Sequence, residues 1–254
     1  MKSLMDNSNS YFLYRFLTLP PLASFLTYLC IKEKFAFSLN GIDAIIFGGL
    51  FFVFAISIST ANTRRFQAIE ELAKLWAMAM SFLLTSKRHL PNKEKEKFQF
   101  ELREFFEKLR LLFHVDVVGE ESQKKLRDID SFFNEVSLTI EEFRATKNIS
   151  SPELACLLGW LEKMYTSFEK LLAIKESRTP RTLRIFLDWA LVIGVLILTP
   201  HFAKFGGYGV FTSFLIMSFL IVLIKVQKML EYPFGKNMDH IDLRMRNKIV
   251  SRIV

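Results

Sequence analysis

Residues Ala44–Trp76 read AIIFGGLFFVFAISISTANTRRFQAIEELAKLW, and this stretch decides the fold. Its first twenty residues, Ala44 to Thr63, carry no charge. Roughly 20 apolar residues at about 1.5 Å each span a bilayer as a helix. Arg64 and Arg65 follow, then Glu70, Glu71 and Lys74, with neither Gly nor Pro between the two parts. The pattern predicts one helix that crosses a membrane, leaves it near Asn62 and continues into a polar domain.

Three further blocks are poor in charge: Phe16–Ile31, Trp189–Ala203 and Phe205–Ile224. Pro20-Pro21 interrupts the first, and the first and third are short enough to need their flanks to complete a span. The first block is not a secretory signal: its polar leader is long and no A-x-A-like site follows it. Mean hydropathy is +0.24 although 24% of the 254 residues are charged, so oily and charged residues are segregated along one chain.

The polar remainder is helical. Phe98, Leu102, Phe105, Phe106, Leu109 and Phe113 recur at steps of three and four, giving one apolar face. Breaks at His114–Ser122 and Thr146–Ser151 divide helices expected near 64–86, 92–113, 121–145 and 151–176. Asn92 is the expected cap of the second, and Ser151, followed by Pro152 and Glu153, that of the fourth. No β-hairpin signal or internal repeat is present. The reading is an all-α integral membrane protein with four transmembrane helices, two plus two, flanking a cytoplasmic helical domain. Residues 1–63 hold spans one and two, 64–180 the helical domain, 181–230 spans three and four, and 231–254 a turn and basic tail.

Charge gives the orientation. The net charge is +8, and residues 181–254 alone carry ten basic and four acidic groups, against twenty and nineteen in 64–180. A nucleic-acid binder concentrates basic residues on a soluble domain; here the excess borders apolar segments, so no nucleic acid is expected. Arg64, Arg65, Arg178, Arg181 and Arg184 flank the middle domain, which puts both termini and that domain in the cytoplasm of a multi-pass cell-membrane protein.

Catalytic signals are weak. There is no G-x-S-x-G, P-loop or H-E-x-x-H, and His114/Asp116 and His240/Asp239 are pairs without a nucleophile. An enzyme is not expected. Cys30 and Cys156 form no disulfide framework. Asp188, at the edge of the third span, has Arg184 as its expected partner at i−4, and Glu231 has Lys228.

Three stretches resemble the bestrophin family of ion channels, bacterial members included. EYPFGKNMDHIDL (Glu231–Leu243) is similar to the family's Pro-Phe-Gly turn and following acidic run. NTRRFQAIEELAKLW (Asn62–Trp76) is similar to its Arg-aromatic, acid-rich region. SRTPRTLRIFLDWALVIGVLILTPHFA (Ser177–Ala203) resembles the entry and end of its third span. The resemblance implies a homopentamer with the second span lining a central pore, and a passive channel for chloride or other monovalent anions. It implies a turn made by Pro233, Phe234 and Gly235 that docks on the helical domain. The acidic run is diluted by Lys236, Asn237, Met238 and His240, which leaves Asp239 and Asp242 as possible calcium ligands or, alternatively, as a helix-start cap or docking pair.

For the pore, Gly48, Phe52, Ile56 and Thr60 lie on roughly one helical face. They form either a hydrophobic neck that gates by excluding water or a face packed on lipid and neighbouring helices. Arg64 and Arg65 either draw anions to the inner mouth or anchor the helix at the interface. The other readings are a cation-selective channel and a non-conducting membrane scaffold or sensor. Expected partners are the chain itself, membrane lipid and monovalent ions, with no cofactor beyond a possible calcium.

Overall fold

The computed structural model describes residues 2–36, 42–89, 92–114, 120–145, 150–177, 181–231, 234 and 241. The chain is all-helical over these residues. Its elements are α1 (Lys2–Lys32), α2 (Ile42–His89), α3 (Asn92–Phe113), α4 (Glu120–Ala145), α5 (Ser151–Glu176), α6 (Arg181–Phe202) and α7 (Gly207–Leu230), with one 3₁₀ turn at Ala203–Phe205. It divides into two compact units: Met1–Thr63 with Thr179–Glu231, and Arg64–Arg178 with Tyr232–Val254.

The first unit contains α1, the N-terminal half of α2, α6 and α7. Its core is made of Ala23 from α1, Phe54 from α2, Leu187 and Leu191 from α6, and Met217, Leu220, Ile221 and Ile224 from α7. Ile185–Phe205 and Gly207–Leu230 are long and apolar enough to cross a membrane. Many large apolar side chains of this unit face outward, among them Leu17, Trp189, Leu196, Phe211 and Phe219. α1 runs unbroken through Pro20 and Pro21, so the proline pair does not divide that segment. Between α6 and α7 the chain reverses at Gly206, whose φ of 56° is in the region open to glycine. Gly209 packs so closely on Phe202 that a Cβ there would lie 1.8 Å from the Phe202 carbonyl oxygen.

The second unit is a helical bundle with an aromatic core. The α3 face read from the sequence is buried throughout. Trp76 of α2 stacks on Phe106 of α3 at 4.0 Å and 7°. Phe105 meets Phe132 and Phe133 of α4 at 4.7 and 5.3 Å, and Phe133 reaches Phe168 of α5 at 6.1 Å. Offset and edge-on rings at such spacings add to the area term that drives burial.

α3 begins at Asn92, and the side chain of that expected cap lies outside the described residues. One cap differs from expectation. The cap of α5 is Ser150 and not Ser151. The Ser150 N–H donates to Glu153 Oε2 at 3.0 Å, the reciprocal bond of an S-x-x-E capping box. Counting three residues back from Glu153 gives Ser150, which is why the first serine of the pair takes the role.

Candidate functional site

α2 presents two different faces within the first unit. Phe54, Ser57 and Ala61 are buried, Phe54 to 1% exposure. On the opposite side of the helix, Gly48, Phe52, Ile56 and Thr60 are all exposed, Phe52 at 66% and Ile56 at 49%. The i, i+4 spacing sets them in one row along the helix. Thr60 donates its hydroxyl to the Ile56 carbonyl at 2.9 Å, and Thr63 does the same to Ser59 at 3.0 Å. These hydroxyls are satisfied within their own helix, so the row presents mainly hydrocarbon. Beside it, Phe51 is 6.1 Å from Phe219 of α7, ring to ring.

Arg64 follows Thr60 by one turn of the same helix, and both Arg64 and Arg65 are half-buried. The nearest acids in sequence are taken: Lys74 lies 2.8 Å from Glu70 and 2.8 Å from Glu71. The Lys74 hydrogen bond and charge hold the Glu70 carboxyl below its ordinary range, and Glu70 and Glu71 raise the Lys74 ammonium. Among the described residues, neither arginine has an ion pair to cancel its charge.

Phe234 is buried at 4% exposure in the core of the second unit. Its ring centroid lies 4.4 Å from that of Phe113. Lys175 of α5 donates to the Leu112 carbonyl at 2.6 Å and stands 5.5 Å over the Phe113 ring. That carbonyl is in the last turn of α3, where a cation is favoured. Ile241 packs half-buried against the same core. Pro233, Gly235, Asp239 and Asp242 lie outside the described residues. Among the described residues, no group of three His, Cys, Asp or Glu side chains is gathered to hold a metal.

Asp188 has partners other than the expected Arg184. Arg15 Nη1 of α1 lies 2.6 Å from Asp188 Oδ1, and Lys228 Nζ of α7 lies 3.8 Å from the same oxygen. Glu231 accepts from Gln227 Nε2 at 2.9 Å, not from Lys228. Lys225, one turn before Lys228, sits 4.0 Å over the Phe12 ring. Arg15, Lys225 and Lys228 were not singled out as a group in the sequence, because no local spacing links α1 to α7.

No family model matches the chain, and no curated protein does. Solved structures do. One is a point variant of a membrane protein, with TM-score 0.81 and 14% identity over 96% of this chain and 97% of that one. Another is a point variant of a bacterial bestrophin homologue from Klebsiella pneumoniae, with TM-score 0.79 and 14% identity over 95% and 96%. A further structure of the Klebsiella homologue gives TM-score 0.78 and 15% identity over 94% and 96%. The likeness runs over nearly the whole of each chain, and the fold is bestrophin-like.

Proposed function

We propose that this chain, with its bestrophin-like fold, is a passive ion channel. It spans the membrane four times, through α1, the first half of α2, α6 and α7. Both termini and the helical domain are cytoplasmic, and five copies surround a pore lined by α2. Monovalent anions are favoured by Arg64 and Arg65.

The observation that carries this reading is the α2 row. A helix whose opposite face is packed in the core leaves Gly48, Phe52, Ile56 and Thr60 uncovered by its own subunit. A ring of such rows makes a hydrophobic neck, which controls conduction by losing its water.

The spacing of charges along the first unit supports the membrane setting. Arg15, Asp188, Lys225 and Lys228 are brought to one end by the contacts given above. Seventeen residues separate Arg15 from Lys32, sixteen Asp188 from Lys204, and seventeen Tyr208 from Lys225. Each interval is about 25 Å of helix at 1.5 Å per residue, near the ~27–30 Å of a bilayer core. Exposed Tyr14 and Trp189 sit at the first end, and exposed Tyr28, Phe205 and Tyr208 toward the other. This is the distribution of aromatic belts at the two interfaces.

The test is current from purified protein in a planar bilayer under a KCl gradient, with Phe52→Ala and Ile56→Ala alongside. Widening the neck is expected to raise unitary current severalfold in each variant. A reversal potential toward the chloride limit supports the anion reading, and one toward the potassium limit replaces it with a cation channel. Silence from a well-folded oligomer, variants included, leaves a non-conducting scaffold.

A further inference from the structure

We infer that the tier formed by Arg15, Lys225 and Lys228 is a binding site for the phosphate headgroup of an anionic phospholipid. The inference rests on the membrane placement above and does not depend on conduction.

The tier gathers three cations, from α1 and α7, around Asp188 of α6 and Phe12 of α1. Arg15 and Lys228 share a single carboxylate oxygen of Asp188, at 2.6 and 3.8 Å. Lys225 stands over the Phe12 ring and has no carboxylate partner among the described residues. Glu231, also at this end, accepts from the neutral Gln227 amide. Among the described residues, Lys225 and Lys228 therefore each lack a hydrogen-bonded carboxylate.

The cations remain within reach of a lipid. The Lys228 side chain is 43% exposed, and its 3.8 Å contact to Asp188 is too long for a hydrogen bond. The neighbours of the tier present apolar surface: Leu13, Tyr14 and Leu17 on α1, Trp189 on α6 and Val226 on α7 are all exposed. A phosphodiester with two acyl chains matches both parts, anion beside the cations and hydrocarbon along the helices. Free phosphate matches only the first. Basic recesses between spanning helices at the cytoplasmic face suit anionic headgroups, with each nearby lysine worth about fivefold in binding.

Trp189 gives the readout. The full-length protein is reconstituted in phosphatidylcholine containing a fixed fraction of brominated phosphatidylglycerol or brominated phosphatidylcholine. Fluorescence quenching is measured, and the signal of Trp189→Phe is subtracted to isolate Trp189. The expected result is at least a fivefold preference for the anionic lipid in the unaltered protein. It should fall to near unity in Lys225→Gln/Lys228→Gln and be retained in Lys225→Arg/Lys228→Arg. Equal quenching by the two lipids in the unaltered protein overturns the site, and needs no variant to fold. A preference that survives the double Gln substitution also overturns it. Reversal of the preference by millimolar inorganic phosphate would assign the cations to a free anion. Quenching by neither lipid would instead sink the membrane placement on which the inference rests.

Discussion

The ring of Phe234 lies 4.4 Å from that of Phe113 at an interplanar angle of 52°, and both are buried. A residue three positions beyond the end of the first unit is thus part of the core of the second. Phe113 is the last residue of α3, and Lys175 holds the same turn through the Leu112 carbonyl. Removing the Phe234 ring leaves a void against Phe113. Phe234→Ala is expected to cost about 3 kcal/mol, read as a lower thermal midpoint in detergent. Limited proteolysis should then cut after Glu231 faster than in the unaltered protein. An unchanged midpoint and digestion pattern would mean that the ring contributes nothing to docking.

The helices of the second unit were legible because two local codes agree there. The apolar steps from Phe98 to Phe113 define α3, and Ser-Ser-Pro-Glu marks the start of α5 within one residue. The exposed row on α2 was legible as a periodicity. What covers that row was not, because an apolar residue in such a helix looks the same whether it meets lipid, water or another subunit. The Arg15 partner of Asp188 was not legible, for a different reason. Arg184 at i−4 is a local candidate, whereas Arg15 is 173 residues away and only the packing of α1 on α6 brings it within 2.6 Å. Proline was over-read: α1 continues through Pro20 and Pro21, since each removes a donor without forbidding the helical φ.

Glu101 makes stability depend on pH. Burial pushes its carboxyl above the ordinary range, against the pull of Lys97, and Glu135 and Glu104 add to the upward shift. Its Oε2 is buried with no hydrogen-bond partner among the described residues, and Lys97 is 3.6 Å from Oε1. The folded state therefore holds this proton more tightly than the unfolded chain. The resulting stability is present below the unfolded pKa of about 4.3 and is lost as pH rises through the raised folded value. Glu101→Gln is expected to unfold at a higher temperature than the parent at pH 7. That advantage should shrink toward zero near pH 4. A gap that widens on acidification would reverse the sign of the argument.

Gly209 sets how closely α7 can follow α6. A methyl at this position would penetrate the Phe202 carbonyl, which is backbone and cannot swing aside. Gly209→Ala is expected to cost about 3 kcal/mol. The readout is the loss of a monodisperse peak in size-exclusion chromatography. Gly207, with nothing within 4 Å of its would-be Cβ, is the control, and Gly207→Ala should elute as the parent does. Equal behaviour of the two variants would show that the turn has room to open.

The Arg15–Asp188 pair ties α1 to α6, and its two partners are unequal in what they leave behind. Removing Arg15 leaves Asp188 with Lys228 at 3.8 Å. Removing the Asp188 charge leaves Arg15 and Lys228 facing each other with no shared anion. Asp188→Asn should therefore lower the thermal midpoint more than Arg15→Gln. The side chains are 22% and 35% exposed, so solvent screens the pair and the coupling in a double-mutant cycle is expected at about 1 kcal/mol. Adding Lys228→Gln to Asp188→Asn should recover part of the loss, because it removes one of the two cations that the Asp188 carboxylate held. A cycle with no coupling, or a further loss on removing Lys228, would mean that these charges are held by solvent and lipid headgroups and not by one another.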